Sequence, residues 1–215
     1  MTIEGAIKEI LDTAERLLQE GIVDMNGCLS CRAGDAVVIT PEGGNLSSLS
    51  EGDLAVVKLE NGRSWKGGRP CGELPRHLRI YRKRNDISAL IHSTQSSVLA
   101  SSRAGLTVRP LLDDMAQLVG TSIRTAPAGR NSSSLKKLTN AFKGRNSVFI
   151  DGQGALCGSS TMDDAHAVCQ VTEKACKSFI ESSYLGGGIR INPLESWLMR
   201  MVYLKKYSKQ AVNNR

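Results

Sequence analysis

The sequence contains no apolar run of about 18 residues, which argues against a membrane-spanning helix. Aromatic residues make up only 4% of it, so stacking platforms for nucleic-acid bases are scarce. Histidine occurs three times, as His77, His92 and His166. A secretory signal is also missing. Ile3, Ile7, Ile10, Leu11, Ala14, Leu17 and Leu18 recur at helical spacing with charged residues between them, so residues 1–21 read as a mature amphipathic helix stopped by Gly21. Without such a signal, six cysteines in a chain of this length point to a reducing cytoplasm and free thiols.

What is present is a chain of 215 residues, enough for one domain with a sizeable core. The formal charge of +7 first suggests a nucleic-acid partner. Its distribution weakens that idea. Arg63, Lys66 and Arg69 share one loop, Arg76 to Arg84 one stretch, and Lys205, Lys206 and Lys209 the C-terminal end. Scattered cations of this kind fit solvated faces or a basic pocket for an anion better than nucleic-acid binding.

β-Branched and apolar runs predict strands at Ala36–Thr40, Leu54–Leu59, Ala89–His92, Ser147–Ile150 and Ala155–Cys157, with Asn61-Gly62 as a hairpin turn and Ile22–Arg32 irregular or extended. Helical spacing predicts helices from Glu73 to about Arg84 and over Gln95–Ser102, Leu135–Lys143, Met162–Ser183 and Pro193–Tyr207, the last at the surface. Asp113–Val119 reads as a short helix or loop. This alternation suggests an α/β fold, a central sheet covered by helices.

Several short motifs then fall in a telling order: Gly27-Cys28-Leu29-Ser30, Ile39-Thr40-Pro41-Glu42-Gly43, Asp53-Leu54, Pro70-Cys71-Gly72-Glu73, Ala89-Leu90-Ile91-His92, Asp113-Asp114-Met115-Ala116-Gln117, and Gly154. Over about residues 3–180 this series resembles the class II aldolase/adducin family. The resemblance implies a single-domain three-layer α/β/α fold around a mostly antiparallel sheet, occupying residues 1–215, and assembly as a homo-oligomer, typically a tetramer with sites between subunits.

It also implies a divalent metal, usually zinc, held by a His-x-His pair and a third histidine beside an acid/base glutamate. Here His92 matches the first histidine and Glu73 the glutamate, but Thr94 and Gln153 stand at the other two ligand positions. Replacing two imidazoles by a hydroxyl and an amide should weaken zinc binding severely. The sequence therefore leads us to expect no metal, and zinc or a similar ion only if activity survives. For His92 the ordinary reading is a hydrogen-bonded core histidine. Glu73 could be a buried carboxylate paired with an arginine, with a perturbed pKa.

The family's phosphate loops correspond to Gly27-Cys28, Glu42-Gly43 and Cys71-Gly72, where its small polar side chains are replaced. Backbone amides remain as donors, while Glu42 would repel a phosphate if it faced the pocket. Cys28 and Cys31 could be read as a metal or redox pair, or Cys28 and Cys71 as a pocket disulfide. The plainer reading is that the cysteines are small apolar fillers. The leading expectation is a non-catalytic or divergent binding or assembly protein. The alternative is a metal-dependent aldehyde-lyase or epimerase acting on a small hydroxy-carbonyl or sugar-phosphate compound.

Overall fold

The computed structural model describes the backbone of residues 1–213 apart from Asn26, and side chains as far as Lys206; Lys209 of the C-terminal basic stretch lies outside the described side chains. Helix α1 (Ile3–Gln19) starts where Thr2 Oγ1 accepts from Gly5 N at 3.1 Å and buries Ala6, Ile7, Ile10, Ala14 and Leu17. Strands β1 (Leu29–Ala33) and β2 (Ala36–Ile39) turn about Gly34, whose φ of 62° suits glycine. Strands β3 (Ala55–Lys58) and β4 (Ser64–Lys66) turn about Gly62.

The chain continues through α2 (Leu74–Tyr81), β5 (Ala89–Ser93), α3 (Ser96–Arg103) and a π-helical turn at Met115–Val119. It ends with β6 (Thr125–Ala126), α4 (Ser132–Phe142), β7 (Ser147–Ile150), β8 (Gly154–Ser159), α5 (Met162–Tyr184) and α6 (Pro193–Asn213). Among the described residues no helix is long and apolar enough to cross a membrane.

The fold is α/β, and the sheet has eight strands in the order β4-β3-β2-β1-β5-β8-β7-β6. The sheet is mixed, which amends the expected topology: β6 runs parallel to β7, while the other neighbours are antiparallel. Alternation along the strands divides the core in two. Val38, Ala89, Ile91, Phe149 and Cys157 face one way and pack with residues of α1, α3 and α5. Val37, Leu90, Val148, Ile150 and Leu156 face the other way, with Leu78, Ile80 and Tyr81 of α2 and Leu138 and Phe142 of α4. A third, small cluster of Cys28, Ile39, Ala55 and Cys71 lies under the 67–73 loop.

The boundaries explain where pattern reading fell short. Asn131 caps α4 by accepting from Ser134 N at 2.9 Å, so the helix begins in the polar Ser132-Ser133-Ser134 segment, which has no apolar periodicity. Strand β6 is two residues long and too short to show alternation. Helix α6 runs on to Asn213.

Candidate functional site

Loops and strand ends converge at one end of the central strands. Glu73 leads into α2, with a proline in the first turn. His92 sits near the end of β5, Gln153 in the turn between β7 and β8, and Arg130 just before α4. Glu73 Oε1 accepts from Arg130 Nη2 at 2.5 Å, and Glu73 Oε2 accepts from Arg76 Nη1. Arg76 is buried on α2 and also donates to the Ala128 carbonyl, while Arg130 is half-exposed. The carboxylate is therefore clamped by two guanidiniums, one inside the protein and one at its surface.

His92 Nε2 lies 2.8 Å from the Gln153 carbonyl, an acceptor, so this nitrogen carries the proton. Nδ1 then faces Glu73 Oε2 at 3.7 Å, beyond hydrogen-bond reach. Gly154 makes the contact possible. Its φ is 103°, and a Cβ there would strike the Ser93 carbonyl, so the turn holding the Gln153 carbonyl over His92 requires glycine.

Burial pushes His92 below the usual imidazole range, with the Glu73 carboxylate opposing the shift, so the ring is neutral near pH 7. Burial also pushes Glu73 up, but His92, Arg130 and Arg76 together outweigh it and hold the carboxyl at about 2. Because His92 is neutral near pH 7, the two arginines supply the lasting part of that shift.

His77 lies one helical turn beyond Glu73 and is fully buried. Ser30 Oγ is 2.7 Å from His77 Nδ1 and 2.7 Å from the Tyr81 hydroxyl, which donates to the Ser30 carbonyl at 2.9 Å. Burial lowers His77 to about 3, so it too is neutral. His166, the remaining histidine, hydrogen-bonds Glu20 at 2.6 Å where the end of α1 meets α5.

The structure brings Gly27, Cys28, Cys71 and Gly72 near Glu73. Cys28 and Cys71 form a disulfide across the two loops, which overturns the expectation of free thiols at these positions. Both belong to the small buried cluster with Ile39, so their side chains meet without disturbing the strands. Cys31 is buried on the opposite side of the sheet, which separates it from Cys28. Glu73 N points at Cys71 Sγ, 3.3 Å away. Glu42 is partly exposed and pairs with Arg69 at 2.8 Å, while Gly43 supplies a φ of 66° next to it.

Thr94 is half-buried, with its amide donating to the Ile22 carbonyl at 3.0 Å. The Gln153 side chain is exposed, and its carbonyl makes the contact to His92. The arginine partners of Glu73 could not be named from sequence. Arg76 is three residues away on the same helix and was a readable candidate. Arg130 is 57 residues away and leaves no local signal.

The chain is similar to known proteins over most of its length. The model of the class II aldolase and adducin N-terminal domain matches residues 8–180. An L-fuculose phosphate aldolase of Methanocaldococcus jannaschii is 44% identical over 72 residues, 34% of this chain and 39% of that protein. The chain thus spans well under two thirds of that relative's length. A 5-deoxy-D-ribulose 1-phosphate aldolase of Bacillus thuringiensis serovar kurstaki is 25% identical over 194 residues, 86% of this chain and 89% of that protein. The solved structure of an L-fuculose 1-phosphate aldolase superposes with a TM-score of 0.88 at 22% identity, covering 94% of this chain and 98% of that one. With the matched segment running from α1 through most of α5, the chain belongs to the class II aldolase/adducin family.

Proposed function

We propose that this chain is a divergent member of its family, a small-molecule-binding or assembly protein that does not carry out zinc-dependent aldol cleavage. The observation behind this reading is the clamp on Glu73. Both carboxylate oxygens accept from arginines, and the group titrates at about 2. A carboxylate that acidic is a poor proton acceptor at neutral pH, because general bases work best with a pKa near the operating pH.

The donors at the ligand-equivalent positions do not fit zinc. A catalytic zinc takes three protein donors and keeps one position open. Here Glu73 is engaged with two arginines, and His92, with its Nε2 proton on the Gln153 carbonyl, leaves Nδ1 as its single open donor. Thr94 offers only a hydroxyl, and the side chain of Gln153 turns to solvent. Among the described residues, no three His, Cys, Asp or Glu side chains are grouped to hold a metal. What the site offers a ligand is the exposed edge of Arg130 beside the Gly72 loop, an attachment point for a carboxylate or phosphate able to compete with Glu73.

A second reading rests on the Bacillus relative, which is named as a sugar-phosphate aldolase over most of the chain. It would make Glu73 the acid/base of a lyase. The two readings separate cleanly. Protein produced without a histidine tag is incubated with zinc, manganese or cobalt, then assayed for metal per subunit and for aldehyde release from ketose 1-phosphates. The first reading expects substoichiometric metal and no release above the blank. About one metal per subunit, lost in His92→Ala, together with turnover abolished by Glu73→Gln, would overturn it.

A further inference from the structure

A second polar cavity lies away from the Glu73 cluster, at the N-terminal end of α6. It has a volume of about 250 Å³ and is lined by Thr107, Arg109, Ser122, Arg124, Arg145 and Ser196 among others. The chain builds it by a local pairing. Val108 and Ile123 exchange backbone hydrogen bonds at 3.1 and 2.8 Å as an antiparallel bridge. Both side chains are fully buried on the core side. Alternation then turns Thr107, Arg109, Ser122 and Arg124 to the opposite side, into the cavity.

Arg145 closes the floor. It is buried, donates from Nε to Ser122 Oγ at 3.1 Å and from Nη1 to the Lys143 carbonyl at 2.7 Å. Burial and the nearby charge of Arg124 both push its pKa down, so the two guanidiniums work against each other. Among the described residues none of the three arginines is paired with a carboxylate.

Two further features favour an anion. Ser196 lies in the first turn of α6 and is 1% exposed, yet its hydroxyl has no hydrogen-bond partner. A buried hydroxyl without a partner is unfavourable, and a ligand oxygen in this cavity would satisfy it. The 21-residue helix α6 also begins here, bringing the positive end of its dipole to the cavity.

We propose that this cavity is a binding site for a phosphate-type oxyanion, either inorganic phosphate or the phosphate group of a small organic ester. Three unpaired arginines, an orphaned hydroxyl and a helix start then share one counter-charge. Nothing in the Glu73 cluster takes part.

Calorimetric titration of the intact protein with inorganic phosphate, at low and constant ionic strength, tests this. The expected result is one site per subunit, weakened about tenfold or more in Arg109→Gln and in Arg124→Gln, since a hydrogen bond to a charged group is worth about that factor. Both arginines are exposed, so these variants should keep the fold, which circular dichroism checks. Lys58→Gln, at the exposed end of β3 and outside both sites, should bind phosphate as the wild type does. A sugar phosphate that binds the same site more tightly than inorganic phosphate identifies an ester as the natural occupant, and equal or weaker affinity identifies free phosphate. No saturable binding at millimolar phosphate, the same heat with chloride, or a loss in Arg130→Gln instead of Arg124→Gln would overturn the proposal.

Discussion

Arg76 and Arg130 hold the same carboxylate, but from opposite sides of the protein surface. Removing the Glu73 charge would leave Arg76, which is 1% exposed, without a counter-ion. Breaking a buried pair in this way costs about 3–5 kcal/mol. Glu73→Ala should therefore unfold at markedly lower denaturant concentration. Arg130→Gln, on the half-exposed side, should cost about 1 kcal/mol or less. Urea melts of the two variants check the ranking, and equal losses would contradict the geometry. His77 and Glu73 fix the acid side of the stability curve. His77 titrates at about 3 when folded, against 6.5 for a free imidazole. Below pH 6.5 the unfolded chain thus takes up a proton that the folded chain refuses, and stability falls by about 1.4 kcal/mol per pH unit for such a group. Glu73 acts in the same direction, because its stabilisation is present above 4.5 and is lost as the pH falls towards 2. Urea midpoints measured from pH 7 down to 4 should decline steadily, and a flat profile would show that His77 is not buried as a neutral ring.

At the scale of elements, the turn between β7 and β8 has little freedom to change. Gly154→Ala would need a positive φ and would drive its Cβ into the Ser93 carbonyl, so it should cost at least about 2 kcal/mol in thermal or urea unfolding. The long elements were legible before the structure because their patterns repeat. The stripe of α1, the Ala165-Val168-Cys169-Thr172 face of α5 and the runs in β2, β3 and β7 each bury what periodicity marks as apolar. Short elements carry no such repetition. β6 is held by pairing to β7, and the Met115–Val119 turn closes through the Gly120 amide bonded to the Met115 carbonyl at 2.9 Å. The candidate site divides along the same line. Glu73 and His92 were legible because they sit in ordered motifs on or beside regular elements; the Cys28–Cys71 bond was legible only as an alternative to free thiols, and Arg130 depends on a loop brought in by the finished sheet.

At the scale of the whole molecule, α6 leaves much apolar surface uncovered among its described residues. Leu194, Trp197, Leu198, Met201, Val202 and Leu204 are between 43% and 72% exposed along one helix, an apolar surface larger than single scattered residues would give. If the homo-oligomer expected from the sequence forms through this face, Leu198→Glu with Met201→Glu should shift the species seen by sedimentation velocity to a smaller assembly, and a wild type that is monomeric at all concentrations would rule out that expectation. The bond between Cys28 and Cys71 bears on the molecule as a whole in another way. It spans 43 positions of sequence, and β1, β2, β3 and β4 all lie inside the covalent ring it closes. A protease that cuts once in the exposed β3–β4 turn would therefore release nothing. The nicked chain would migrate as one band in denaturing gels without thiol and separate into two pieces once reductant is added.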